Sequence, residues 1–193
     1  MRALFLSAVC ALGIVACGGA TTSAGGGSST VSGTVAGGQN VATTDAIGVV
    51  TTQTQTVGST TITIAGAGVA ITNKANVCQI VQSQKTPNST AVLSLSVSKP
   101  GNSVPLGTYA IGTDAQSNTY VGAEYGVSDA SCKTVTDESA TEGTITFTTI
   151  TSTTVQGTFD VTMDNGDHLT GSFDAPVCAI PFASKTGNPP CEG

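Results

Sequence analysis

The chain has no tryptophan and one histidine, and only 9% of its residues are charged and 4% aromatic. Each shortage excludes something. Six Lys+Arg against twelve Asp+Glu give a formal net charge of −6, so no basic surface meets the phosphate backbone of a nucleic acid. Few Glu and Lys argue against helical bundles and coiled coils, which are rich in both. Sugar-cleaving clefts usually stack the ring on Trp or Tyr, and only Tyr109, Tyr120 and Tyr125 are present. These read as half-buried strand residues and not as a binding platform. No H-E-x-x-H, P-loop, EF-hand loop, G-x-S-x-G elbow or dinucleotide fingerprint occurs, so neither a metal nor a cofactor is expected.

What is abundant is equally informative. The sequence holds 33 Thr, 24 Gly and 19 Ser, and 39% of residues are hydrophobic. Disordered chains are poor in β-branched residues, whereas Val, Ile and Thr are plentiful here. From Val31 the pattern alternates and breaks at Gly, Asn or Pro about every eight to twelve residues, as in antiparallel all-β proteins. The expected fold is a β-sandwich or flattened barrel of about 8–10 strands. Candidate strands are 30–36, 46–54, 59–66, 67–72, 90–98, 107–112, 118–126, 142–151, 153–163 and 168–175. Thr61-Ile62-Thr63-Ile64 and Val92–Val97 alternate one apolar and one hydroxylated face. Threonine has strand propensity without adding charge, so a wet β face can be nearly uncharged.

One segment breaks the period of two. Val77, Ile80, Val81 and Gln84 recur at helical spacing, which predicts one short helix near residues 74–85. Asn73 is expected to cap it, with Lys85 at its end. Further on, Asp164-Asn165-Gly166 separates two strands. A three-residue loop with Gly166 left-handed at a bulge pairs odd with odd positions. Val161 then faces Leu169, Phe159 faces Gly171 and Gly157 faces Phe173, so each Phe covers a glycine.

The first residues carry an export signal. After Met1-Arg2, Ala3–Val15 form an apolar run of 13 residues, about 20 Å of helix against a hydrocarbon core of about 30 Å. This reads as a signal peptide, residues 1–16. It closes on Ile14-Val15-Ala16-Cys17, which resembles the lipobox of bacterial lipoproteins. That resemblance implies lipid attached to the Cys17 thiol, cleavage before Cys17 and a membrane partner through the lipid. Two or three acyl chains would hold the protein effectively permanently. Gly18 in place of Asp implies, by the same resemblance, the outer membrane. Residues 17–30 read as the lipidated cysteine and a flexible Gly/Ser/Thr linker, and 31–193 as the β domain. The run G-T-F-D-V…L-T-G-S-F-D-A-P-V-C, with Cys78 after a short helix, is similar to small β-rich bacterial lipoproteins of unassigned function. It brings no catalytic residues.

With Cys10 lost in the signal and Cys17 lipidated, Cys78, Cys132, Cys178 and Cys191 remain. An even number in an exported chain points to two disulfides, and their spacing fits no zinc site. Three connectivities are open. Cys78–Cys178 with Cys132–Cys191 is preferred, because it ties the helix to the end of the last strand.

Candidate chemistry is sparse. His168 lies beside Asp164 and Asp167, which could form an acid–base or metal site of a tethered hydrolase. The plainer reading has Asp and Asn satisfying backbone at a turn and His168 exposed at a strand start. Asp137, Glu138 and Glu142 read as a solvated acidic loop. Asn88-Ser89-Thr90 fits a glycosylation acceptor but reads as a loop. The expected function is therefore a non-enzymatic envelope or surface module, binding or structural, with the hydrolase as the alternative.

Overall fold

The computed structural model describes residues 26–36, 38–57, 59–180 and 189–192. The expected signal segment, residues 1–16, and Cys17 lie outside the described residues. The fold is all-β with one short helix. Twelve strands form a 10-stranded sheet and a 2-stranded sheet. In chain order they are β1 (Ser28–Ser32), β2 (Thr34–Val35), β3 (Gln39–Asn40), β4 (Asp45–Val57) and β5 (Thr60–Thr72). After the helix α1 (Val77–Gln82) come β6 (Ala91–Pro100), β7 (Gly107–Ala110), β8 (Gly112–Asp114), β9 (Thr119–Ser128), β10 (Thr134–Ile150), β11 (Thr154–Met163) and β12 (His168–Pro176).

The large sheet runs β1-β12-β11-β10-β9-β6-β5-β4, every pairing antiparallel. It curls into a half-barrel, the flattened barrel in open form. Its two ends touch where Gly48 bridges Val177, with Cys178 N–H donating to the Gly48 carbonyl at 2.8 Å. Gly27 N–H donates to the Ala46 carbonyl beside it. The β1 strand takes in residues 28–30, which composition assigned to the linker; they pair with Asp174, Phe173 and Ser172 of β12.

The long strand β10 turns the sheet. Its first part pairs with β9, and its second pairs with β11 on one edge and β7 on the other. β7 and β8 fill the wedge where β9 and β10 part. The bend falls at a bulge between Ala140 and Glu142, next to Gly143 at φ 117, a backbone region that favours glycine. Asp137 and Glu138 thus lie in a strand, contrary to the expected acidic loop, because they pair with Gly126 and Tyr125 of β9. β5 is likewise one strand where a break at Gly66-Ala67-Gly68 was expected. Both glycines sit in the ladder, and a Cβ at Gly68 would come within 2.7 Å of the Leu95 carbonyl.

The core fills the concave face. Leu93, Leu95, Val97, Tyr125, Ile145, Phe147, Val155, Phe159, Val161, Leu169 and Phe173 are all buried. Phe147 meets Phe173 edge to face at 5.8 Å between centroids, a favoured aromatic geometry. β11 and β12 pair Val161 with Leu169, Phe159 with Gly171 and Gly157 with Phe173, the register of a three-residue loop with Gly166 left-handed at φ 90. A Cβ at Gly171 would lie 2.6 Å from Phe159 Cζ, and one at Gly157 would lie 2.6 Å from Phe173 Cζ. The rings occupy the space that glycine leaves.

The helix is shorter than its apolar spacing predicts, and its cap differs. Asn73 Oδ1 accepts from Ala91 N–H instead, at 2.9 Å. The N-cap position is Asn76, left-handed at φ 59 with no side-chain cap. The cap comes from β4: buried Asp45 Oδ2 accepts from Val77 N–H at 3.1 Å. Left-handed Gln84, φ 58, ends the helix, and Lys85 N–H closes it by donating to the Ile80 carbonyl at 3.3 Å. Val77 packs with Ile47 and Cys178 in a second, small cluster on the convex side of the sheet.

Gly143→Ala is expected to lower stability by about 2–4 kcal/mol. The new Cβ would sit 2.1 Å from the Asp160 carbonyl. Denaturant unfolding of the variant beside Gly126→Ala, where the nearest atom is 3.8 Å away, checks it; equal midpoints would contradict the corner role.

Candidate functional site

The turn at 164–168 is built by local hydrogen bonds. Gly166 N–H donates to the Met163 carbonyl at 3.0 Å, and Met163 N–H to that of Asp167 at 2.8 Å. Asn165 Oδ1 accepts from Asp167 N–H at 2.8 Å, so the Asn closes a turn of its own. Its Nδ2 donates to Asp167 Oδ2 at 2.8 Å and to Glu138 Oε1 at 3.0 Å. The other Glu138 oxygen accepts from Ala36 N–H at 3.4 Å. Glu138, which the sequence marked only as part of an acidic run, thus joins the β2–β3 connection to the turn.

His168 does not join Asp164 or Asp167. Its Nε2 meets Asp160 Oδ1 at 2.7 Å, with the side chains 56% and 64% exposed. Asp160 stands diagonally across the β11–β12 ladder, because Thr162 pairs with His168 and Asp160 with Thr170. The signal that could have found it is the odd-with-odd register, which places 160 and 168 on one face. An open pair of this kind gains little from a neighbouring charge. Asp167 is held by Asn165, and the Asp164 N–H donates to the Ser139 carbonyl at 2.8 Å. Among the described residues no three His, Cys, Asp or Glu come together to hold a metal ion.

All four candidate cysteines are bonded. Cys78 joins Cys178 and Cys132 joins Cys191, with Cα atoms 5.7 Å apart in both, a normal disulfide span. The first fastens α1 to the chain leaving β12. The second fastens the C-terminal residues 189–192, which also bridge Thr86 through Cys191. There Lys74 Nζ donates to Asn88 Oδ1 at 2.7 Å and contacts the Glu192 carboxylate. The Lys74 ammonium holds the Glu192 carboxyl below its ordinary range by a hydrogen bond and by charge. This cluster fastens the chain end and presents no open nucleophile.

The tyrosines differ among themselves. Tyr125 is fully buried in the core, Tyr109 is half-buried and donates to the Pro105 carbonyl at 2.6 Å, and Tyr120 is 47% exposed. The expectation of three half-buried rings holds for Tyr109 alone, because position 125 faces inward and position 120 outward. Tyr120 lies over Gly122, whose Cβ would be 2.7 Å from the hydroxyl. Partial burial, and then the charge of Asp137, push the Glu124 carboxyl above the ordinary glutamate range. Partial burial and Glu124 in turn raise the Tyr120 hydroxyl.

Comparison with known protein families, with curated proteins and with solved structures gives no match for this chain.

Glu124 supplies a pH test. Its folded-state pKa is raised, so folding favours the protonated form, and this stability is lost as pH rises through the folded pKa. Glu124→Gln is therefore expected to stabilise the protein at neutral pH. Solvent screening of this half-exposed side chain keeps the gain under about 1 kcal/mol. The gain should vanish below the ordinary glutamate range. Thermal unfolding of both proteins across acidic to neutral pH measures it, and a pH-independent difference would contradict the assignment.

Proposed function

We propose that the chain is an exported lipoprotein, anchored by lipid on Cys17, whose β domain serves the cell envelope as a binding or structural module without catalysis. The observation that carries this reading is Ile14-Val15-Ala16-Cys17 at the close of a 13-residue apolar run. Two disulfides are compatible with an oxidising compartment outside the cytoplasm. The acids nearest His168 in sequence are engaged in turn geometry, and its one contact is an exposed partner across the ladder. An anchored module of this kind works by where its lipid places it, with Gly18 favouring the outer membrane.

After export the charge becomes more negative, because Arg2 leaves with the signal; 5 Lys remain against 12 acids, a balance of −7. Anionic lipid headgroups would repel such a domain, so membrane residence should depend on the acyl chains alone. Detergent phase partitioning of the wild-type chain and of Cys17→Ala tests this. The wild type should enter the detergent phase, and the variant should move to the aqueous phase or persist as uncut precursor. Unchanged detergent partitioning of Cys17→Ala would overturn the reading.

A further inference from the structure

Among the described residues, β4 beyond Gly48 is a free strand edge. The Ala46 and Gly48 carbonyls turn away from β5 and accept from Gly27 and Cys178. The backbone polar groups of an antiparallel strand alternate in direction residue by residue. Val50, Thr52, Thr54 and Thr56 therefore also aim N–H and C=O away from β5. Among the described residues no backbone group meets them.

Natural sheets blunt such edges with charge, proline, bulges or shortness. This edge has none of these. Residues 49–57 read VVTTQTQTV, without a charge, Pro or Gly. Pairing with β5 runs from Asp45–Thr72 to Val57–Thr60 without a register shift. β6 pairs with β5 from Ile64 to Thr72, and just past its end Gly101 N–H reaches the Thr63 carbonyl and Thr52 Oγ1 the Asn102 carbonyl, so among the described residues the ribbon beyond Thr54 and Thr63 stands clear of the sheet. The opposite edge strand, β1, has 5 residues and stops at Gly33, φ 107.

We propose that this edge pairs with the same edge of a second copy of the chain, antiparallel about a two-fold axis through Gln53. Unpaired N–H and C=O groups in a straight row are met by another extended backbone. A second copy brings one with no charge to repel, and a two-fold contact needs a self-complementary surface. The register follows from the outward residues. Centred on Gln53, Val50 pairs with Thr56 of the second copy and Thr52 with its Thr54, each pair exchanging both hydrogen bonds. A centre at Thr52 leaves Thr56 unpaired, and a centre at Thr54 leaves Val50 unpaired. Threonine then faces threonine, as Thr54 and Thr63 already do at 3.1 Å and Thr56 and Thr61 at 3.2 Å within the hairpin. On the other face, amide meets amide at Gln53, with exposed Ile64 alongside it on β5.

Cross-linking and sedimentation of the full chain, extracted from membranes in detergent, test this. In Gln53→Cys, the two thiols would lie on a non-hydrogen-bonded pair with Cα atoms about 4.5 Å apart, within disulfide reach. In Gln55→Cys they would be about four residues out of step, roughly 14 Å along the strand. The expected result is a dimeric wild type, a covalent dimer for Gln53→Cys, and none for Gln55→Cys. Thr52→Lys with Thr54→Lys sets ammonium opposite ammonium at exposed positions, so the dimer should be lost while circular dichroism is unchanged. A monomeric wild type, a dimer that survives the double lysine variant, or equal cross-linking of both cysteine variants would overturn the proposal.

Discussion

The curled sheet depends on one short closure, where Gly48 bridges Val177 and Cys178 N–H reaches the Gly48 carbonyl. A sheet that twists in one sense brings its first and last strands together only if some segment reaches across. Here the chain leaving β12 does so for a few residues and then departs. The Cys78–Cys178 bond lies beside that contact and ties α1 over it. Gly48 also suits the place sterically, since a Cβ there would meet Val155 Cγ2 at 2.9 Å. Closure at this point makes the first half of β4 interior and leaves its second half an edge. The helix, the staple and the free ribbon are three consequences of one contact.

Around that closure the polar groups are arranged for a sheet with little charge. Asp45 shows the cost of the exceptions. It is 3% exposed, and its Oδ2 serves as cap for a helix whose own Asn76 supplies no side-chain hydrogen bond. Burying a carboxyl group is costly unless donors meet it; the helix N-terminus supplies one to Oδ2, while Oδ1 is buried with no partner among the described residues. Elsewhere hydroxyls take the place of ions: Thr30 with Ser172, Thr108 with Thr146, and the threonine pairs of the ribbon. Such pairs hold the wet face without the like-charge repulsion that crowded ionic side chains would bring.

How far the sequence could be read follows from how local each signal is. The β11–β12 register was legible because a turn with Gly166, two phenylalanines and two glycines allow only one consistent ladder. The all-β class was legible from threonine and the period of two. The β10 bend was not, because acids at Asp137, Glu138 and Glu142 read as a loop until the pairing of the first two with β9 and of the third with β11 is known. Gly66 and Gly68 looked like breaks because nothing local tells that Thr51 approaches the first and Leu95 and Ser96 the second. Asp45 capping a helix 32 positions away, and Asp160 meeting His168, are tertiary facts of the same kind. The candidate site around His168 was assembled by proximity in sequence, and the alternation of a strand sends such neighbours to opposite faces.

The closure also relates the chain's entry to its free edge. Gly27 meets Ala46 at the beginning of β4, whereas the open part of β4 runs from Val49 to Val57 toward the hairpin tip. At about 3.4 Å per residue the tip lies roughly 35–40 Å along the strand from that meeting point. Under the proposed anchoring, lipid holds the end of the sheet where Gly27 enters and the uncharged ribbon extends away from it. Anchored neighbours on one membrane share that orientation, and a two-fold axis running perpendicular to the membrane is the arrangement that keeps both anchors in one plane. An antiparallel pair of identical β4 edges has its two-fold axis along the normal of the shared sheet, so the paired strands would have to lie near parallel to the membrane for both lipids to remain inserted.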